Sequence, residues 1–399
     1  MTIDLRDPMF RTDPQRFLAH KQEEAAAHVD ALGAMVVLRH AEVSQLLRDP
    51  RLGKDLRRWN GYGFVRPYGA GTTFESYVES WMLSRDPPDH TRLRRLASQA
   101  FTPRAVAMMR STVEAIAAAL LAELPTDGEV ELMSAFAQPF PVLVICRIMG
   151  FPTGDFRALK RWSDGLAVAV ELMPKKYPEA EIAAVEMSAY VREHIALRRL
   201  RPSDDLLTAL VEAKDQGDRL SEDELIAMVM LLFLAAHETT TNLIGGGLLA
   251  LLEAPDELAR LRVHPELLPS AVEELTRLTT PGPFSGRAVH ETFSLGDLTL
   301  PAGGLVLLGL SAANRDPRVF SDPDRLDVAR QHNPHLAFGA GMHYCLGAPL
   351  ARMEAMIAFE RLLGRWPNIG LGEPAPRRLK RFGLRGLESL TLRVAAGGV

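Results

Sequence analysis

The sequence predicts a mainly α protein: a single large helical domain with a small β-sheet region at one side and a long central helix. Three observations carry that expectation. Segments of helical texture fill most of the 399 residues. An apolar run from Leu225 to Leu252 follows Ser221-Glu222-Asp223-Glu224, a capping box in which Glu224 is placed to reach back to the cap. Short strand-like segments separated by turns gather beyond Pro281.

Composition points to one domain. Hydrophobic residues make up 47% of the chain, enough for a large buried core. A prior of roughly 100–200 residues per domain would allow about two to four domains. Yet no Ser-, Gly- or Gln-dominated linker divides the chain and no repeat of fixed period is visible, so residues 1–399 read as one unit. The formal charge of −4, with both signs interspersed, gives no sign of a nucleic-acid partner. Two cysteines cannot build a disulfide framework and suit a reducing compartment. The N-terminal MTIDLRDPMFRTDPQRF contains no apolar core of a signal peptide, so a cytoplasmic protein is expected.

Taken in order, Pro14 to about Val29 is polar, Ala-rich and expected to be helical. Gly33–Leu38 reads as a short strand and Ala41–Arg48 as a helix. Leu52–Leu83 breaks into Gly, Pro and aromatics, the longest irregular segment, and such segments are disproportionately functional. Helices are expected at His90–Ala100, Pro103–Glu123, Ala135–Met149, Asp155–Glu171 and Pro178–Leu200. The run from Leu225 to Leu252 would span a bilayer, for which about 20 residues suffice. Its middle, His-Glu-Thr-Thr-Thr-Asn, would place a carboxylate at membrane depth, which is costly. It is read as a core helix of roughly 50 Å at 1.5 Å per residue, and no membrane association is expected. Helices near Asp256–Arg262 and Glu266–Leu278 follow. Beyond them lie strands at Arg287–Thr292, Phe293–Leu300 and Leu305–Leu310, a meander near Asn314–Asn333, a Gly-rich loop, a final helix Ala348–Leu363 and a strand near Leu390–Val394.

The sharpest local signal is Phe338-Gly339-Ala340-Gly341-Met342-His343-Tyr344-Cys345-Leu346-Gly347, which runs straight into the final helix. It offers a thiolate from a tight loop. Glycines at 339, 341 and 347 permit positive φ and close approach of a flat body. Cys345 sits just before a helix N-terminus, which lowers a thiol's pKa. A lone cysteine in such a place is more often a buried structural residue. Here Phe338, Gly339, Gly341, His343, Cys345 and Gly347 all match the haem-binding loop of the cytochrome P450 family. The chain resembles soluble bacterial members of that family over nearly its whole length.

The resemblance implies the cytochrome P450 fold, its long helix lying over a haem b (iron protoporphyrin IX) with Cys345 as axial iron ligand. A thiolate there favours O–O cleavage. Ala235-Ala236-His237-Glu238-Thr239-Thr240 resembles the family's oxygen-binding motif. By that likeness Ala235 contacts the haem, and Thr239 and Glu238 are catalytic. The threonine bonds at the reacting oxygen and the glutamate links the site to solvent protons, general-acid work through water. Ala236 stands where Gly is more usual, which bears on how far the helix bulges. A zinc reading of His237-Glu238 fails, since a metalloprotease helix needs a second His four residues on and position 241 is Thr.

His90 and Arg94 lie four apart on one side of a helix. With Arg287 and His343 they fill the family's positions for the haem propionates, arginine being suited by its fork. Phe338, Gly339 and Gly347 supply further haem contacts. Glu274 and Arg277, three apart on one helical face, match the family's buried acid–base pair, which a basic residue of the meander completes, here Arg325. Cys146, within PVLVICRIMG, is read as a packed core residue.

The resemblance also places the pocket walls, giving Trp59, Phe64, Val65, Leu83, Leu166, Val168, Leu232, Ala235, Pro283 and Phe284. This apolar set fits a hydrophobic small molecule such as a terpenoid, steroid, fatty acid or polyketide. The implied reaction is monooxygenation: one atom of O2 enters a C–H bond or crosses a C=C bond, and the other leaves as water. No Gly-x-Gly-x-x-Gly follows a strand, and there is no room for a fused flavin or iron–sulfur domain. Electrons are therefore expected from a ferredoxin and its NAD(P)H-dependent reductase, docking on a basic patch that includes Arg352. A monomer is expected. Two other readings stand beside this one: a peroxide-driven peroxygenase, which the intact Glu238-Thr239 pair argues against, and a non-catalytic haem-based sensor.

Overall fold

Ser221 and Glu224 close the capping box: the Glu224 amide donates to Ser221 Oγ at 3.2 Å and the Ser221 amide to Glu224 Oε2 at 2.8 Å. The helix they start runs from Glu222 to Glu253 without interruption. A computed structural model describes residues 1–31, 33–65, 71–167, 178–215, 217–379 and 381–396. The central helix is apolar on nearly every side and is correspondingly buried. Around it pack Pro139–Ile148, Phe156–Leu166, Pro178–Leu200, Leu268–Thr279 and Ala348–Arg365. Among the described residues two helices are long and apolar enough to cross a membrane, this one and Arg104–Ala122. The second is a surface helix that turns Val106, Val113, Ala117 and Leu121 inward and carries an Arg110–Glu114 ion pair outside.

A five-stranded sheet sits beside the helices. Its order is Ala27–Val29, Met35–Val37, Leu305–Gly309, Phe284–Val289, Leu52–Gly53. Only the pairing of Met35–Val37 with Leu305–Gly309 is parallel. The register matters for the site: Leu52 faces Val289 and Gly53 faces Ala288. A second sheet pairs Thr391–Ala395 with both Gly128–Glu131 and Asn368–Leu371.

Several boundaries differ from the sequence-based expectation. The N-terminal helix stops at Glu24, because Ala27–Val29 pairs with Met35–Val37 instead of continuing it. Within the supposedly irregular Leu52–Leu83 lies a helix, Thr73–Ser80, capped by Thr72 Oγ1 at 3.1 Å from the Glu75 amide. Its buried Phe74, Tyr77 and Val78 have the i, i+3, i+4 spacing of a core-facing helix. The helix expected at Ala135–Met149 opens with a π-turn, Met133–Ala137, ahead of Pro139–Ile148. Pro139 has no amide for the regular ladder, so the widened turn forms just before it. Phe293–Leu300 is a hairpin of two short strands turning at Gly296, whose φ is +56°. Phe156–Leu166 covers the described part of the helix expected at Asp155–Glu171.

Candidate active site

Two glycines shape the cysteine loop. Gly339 and Gly341 have φ of +70° and +69°, the left-handed region that costs other residues. A Cβ on Gly341 would also meet the Leu47 carbonyl at 2.7 Å. Gly347 departs from expectation. Its φ is −83°, and a Cβ there would meet nothing within 4 Å. It leaves open space beside Cys345 rather than turning the chain. The Cys345 amide closes the loop by donating to the Phe338 carbonyl at 2.9 Å.

Burial pushes the Cys345 thiol up, against the Gly347 and Ala348 amides and the Arg94 and Arg352 charges, which pull it down. The lowered pKa expected from the helix terminus is therefore corrected: those amides are present, but desolvation outweighs them in the protein alone. A cation at the sulfur reverses that balance, since a coordinating thiol is deprotonated outright. Cys146, by contrast, is fully buried in the core and its thiol is pushed up to about 12 by burial.

The four residues assigned to propionates converge near the loop. The His90 and His343 rings lie 4.1 Å apart. Arg94 and Cys345 are close enough to act on one another electrostatically. Arg287 is 2% exposed, and its guanidinium donates only to Ser285 Oγ and the Gly286 carbonyl among the described residues. Burial lowers Arg287 to about 10 and His343 to about 2, with Arg287, His90, Lys54 and Arg94 adding to the latter. The His343 ring is therefore neutral near pH 7 while Arg287 stays charged. Among the described residues the buried His343 Nε2 has no hydrogen-bond partner. Burying cations and a polar nitrogen without partners is costly. The arrangement fits a rigid body carrying carboxylates beside Cys345, as haem b would.

The central helix carries Ala235, Glu238 and Thr239. Leu231 to Leu234 and His237, Glu238 and Thr240 are buried, yet Ala235 is exposed and Ala236 and Thr239 partly so. An opening in an otherwise buried helix marks a cavity. The Thr239 hydroxyl donates to the Ala235 carbonyl at 2.6 Å. With Ala236 in place the helix stays α throughout, with no bulge. At 100° per residue Glu238 stands about 60° round from Ala235, toward the loop that brings Arg381. Arg381 Nη1 donates to Glu238 Oε1 at 3.1 Å. Beside this pair His237 Nδ1 lies 3.3 Å from Ser163 Oγ and 3.7 Å from Asp164. Asp164, His237 and Glu238 bring ligand atoms within 4.8 Å of one another. Each carboxylate already has its own cation, Lys160 for Asp164 and Arg381 for Glu238.

Glu274 and Arg277 are fully buried and share two hydrogen bonds of 2.8 Å. Their third partner is Arg330, which corrects the assignment of Arg325. Arg330 Nε donates to both Glu274 oxygens at 3.0 Å, and Asn333 adds a bond at 3.1 Å. Arg325 is on the surface, 3.9 Å from Asp322. It lies in an acidic, solvated stretch with Asp322, Asp324 and Asp327, whereas fully buried Val328 draws the next residues inward. Arg352 is also corrected. Two of its nitrogens donate to Glu273 at 2.6 and 2.8 Å and its guanidinium lies 4.4 Å over Phe338, so it is no free cation of a basic patch.

The expected pocket walls divide. Leu166 is fully packed in the core and lines nothing. Leu83 and Leu232 join the main core, Leu232 one turn before the exposed Ala235. Pro283 is buried. Trp59 and Phe284 pack in a separate cluster with Phe10 and Phe382, the Phe284 and Phe382 rings stacked 5.3 Å apart. Phe64 and Val65 belong to a short helix, Tyr62–Val65, with side chains outside the described residues, and Val168 lies outside them altogether. Sequence reasoning missed Lys54, Arg330, Arg381 and Phe382. Arg330 carries one signal in hindsight, a basic residue two positions after an apolar one. Lys54 and Arg381 carry none, since only strand register and loop packing bring them to the site.

Known proteins resemble the chain over nearly its whole length. The family model described as Cytochrome P450 matches residues 166–367. Cytochrome P450 107B1 of Saccharopolyspora erythraea is 43% identical over 98% of this chain and 97% of its own length. The 6-deoxyerythronolide B hydroxylase of the same organism is 38% identical over 98% of each. Among solved structures, the Bacillus subtilis 168 bacillaene polyketide synthase cytochrome P450 PksS superposes with a TM-score of 0.89. It has 36% identity, covering 98% of this chain and 99% of that one.

Proposed function

The chain belongs to the cytochrome P450 family, and on that footing we propose that Cys345 is its axial haem ligand and that Thr239 and Glu238 serve proton delivery. It is a haem-b monooxygenase that inserts an atom of O2 into a small molecule with electrons from redox partners. One observation carries the assignment of the site: buried Arg287, without an ion-pair partner among the described residues, and the unpartnered His343 Nε2 gather at the loop that presents Cys345.

The bound haem supplies the activation of dioxygen. The protein's own residues do the rest. Arg94, Arg287, His90 and His343 would hold the haem propionates, and Phe338, Gly339 and Gly347 would leave room for the ring. Ala235, exposed in the otherwise buried central helix, would leave space for the cofactor. Thr239 holds a proton at its Oγ1, which now points at the Ala235 carbonyl and can turn toward the cavity. Glu238 is the acid behind it, steadied by Arg381. Of the apolar residues assigned to the substrate, Leu232 and Leu83 at the main core stay our candidates for its wall, with Pro283 beside them and Trp59 and Phe284 from the neighbouring cluster. We assign residues 1–399 to one domain, monomeric and cytoplasmic, served by a ferredoxin and an NAD(P)H-dependent reductase.

The relatives named for bacillaene polyketide synthase and 6-deoxyerythronolide B point to a polyketide-derived substrate, to be hydroxylated or epoxidised. The test is turnover of such compounds by the haem-loaded protein, with ferredoxin, reductase and NAD(P)H in one arm and hydrogen peroxide alone in the other. Product in the first arm supports the reading. Product with peroxide alone makes the protein a peroxygenase, and binding without product in either arm makes it a sensor.

A further inference from the structure

Strand register places a cation that the propionate assignments leave out. Leu52 and Gly53 pair antiparallel with Val289 and Ala288; continuing that register one residue past the strand's end brings Lys54 across from Arg287, whose charge acts on it. Side chains alternate along a strand. Lys54 and Arg287 therefore share one face, and Gly53 and Ala288 share the other. Asp86 lies on that other face, where a Cβ on Gly53 would collide with its carboxylate and with His290. It is held there by the Lys54 and Asp55 amides, at 2.6 and 3.2 Å, and by His290 Nε2 at 3.2 Å.

Like charges directly opposite across a ladder destabilise the pairing. Among the described residues neither Lys54 nor Arg287 has an ion-pair partner. Burial, followed by the Arg287 charge, pushes the Lys54 ammonium well down. Asp86 is the one acid that acts on both, and it lies on the other face, so the face shared by Lys54 and Arg287 carries positive charge with no carboxylate against it. A haem propionate would carry the opposite sign.

We propose that Lys54 is a further cofactor-binding residue, its ammonium and the Arg287 guanidinium together gripping one haem propionate. The inference rests on the haem reading of the site. Haem release to excess apomyoglobin tests it, comparing wild type, Lys54→Met and Lys54→Arg, each loaded with haem b or with haem dimethyl ester. The ester keeps the ring and removes the carboxylate charge. Lys54→Met is expected to release haem b about tenfold faster than wild type, the worth of one charge-assisted hydrogen bond. Lys54→Arg stays within about twofold of wild type, and the ester leaves wild type and Lys54→Met at equal rates. Thermal unfolding of the haem-free proteins should put Lys54→Met at or above wild type, since a repulsion has gone.

Wild-type release of haem b from Lys54→Met overturns the assignment. So does equal acceleration of both haems, or a haem-free Lys54→Met protein that melts below wild type; these make Lys54 a packing residue. A wild-type protein that takes up no haem fails at the underlying reading instead, and so is told apart.

Discussion

The Thr239 hydroxyl donates to the Ala235 carbonyl, one turn back along the central helix, at 2.6 Å. The bond lies where that buried helix opens onto a cavity. It gives Thr239 two uses for one proton, a satisfied resting state and a donor position once the cavity is filled. Replacing Thr239 by Ala removes the second while leaving the helix intact. The expected result is a roughly 10²-fold loss of product formation, with NAD(P)H still consumed and hydrogen peroxide released. Product, NAD(P)H and peroxide measured in one assay check it. Unchanged product per NAD(P)H would mean that protons arrive by another route.

Arg381 and Glu238 form the second test of that path. Their ion pair at 3.1 Å is the one hydrogen bond of either side chain among the described residues. Arg381→Gln leaves Glu238 without its cation, and Glu238→Gln removes the acid. Both should slow product formation and alter its solvent isotope effect, with Glu238→Gln the more severe. A normal rate in Glu238→Gln would take Glu238 out of proton delivery.

Arg330 and Arg325 provide a stability contrast. Arg330→Met breaks a buried contact to Glu274 and leaves charge uncompensated, so a loss of about 3–5 kcal/mol is expected. Arg325→Met alters an exposed residue and should stay within about 0.5 kcal/mol. Denaturant unfolding of both variants measures the difference. Equal effects would contradict the assignment of Arg330 as the partner of Glu274.

That contrast also shows where sequence reading stopped. The capping box, the buried central helix, the cysteine loop and the Glu274–Arg277 pair were legible because each is local, set by residues within a few positions of one another. The third member of the Glu274 network was not. Arg325 and Arg330 lie in one irregular meander, and only the inward pull of buried Val328 separates them. Lys54 and Arg381 were invisible for a similar reason, as pairing with Phe284–Val289 brings in the first and a C-terminal loop the second. The thiol of Cys345 was misjudged because helix-terminus chemistry can be read from sequence and desolvation cannot.

His237 gives stability a pH dependence with a definite sign. Burial lowers its pKa, against the pull of Glu238 and Asp164, while Lys160 and Arg381 lower it further. The folded protein therefore keeps the ring neutral where the unfolded chain takes up a proton. Stability is full above the unfolded value of about 6.5 and falls as pH drops below it. The slope carries up to about 1.4 kcal/mol per pH unit from this one group. His237→Gln should flatten the fall of denaturant-unfolding stability below about pH 6.5. An identical slope in the variant would show that His237 titrates alike folded and unfolded.

Ligation of haem iron by Cys345 bears every other assignment, and the ferrous carbon monoxide difference spectrum tests it most directly. The haem-loaded protein, reduced with dithionite and exposed to carbon monoxide, should give the strongly red-shifted Soret band of a thiolate ligand, and Cys345→Ala should lose it. A band at the position of histidine-ligated haem, or a red-shifted band retained in Cys345→Ala, would contradict the account.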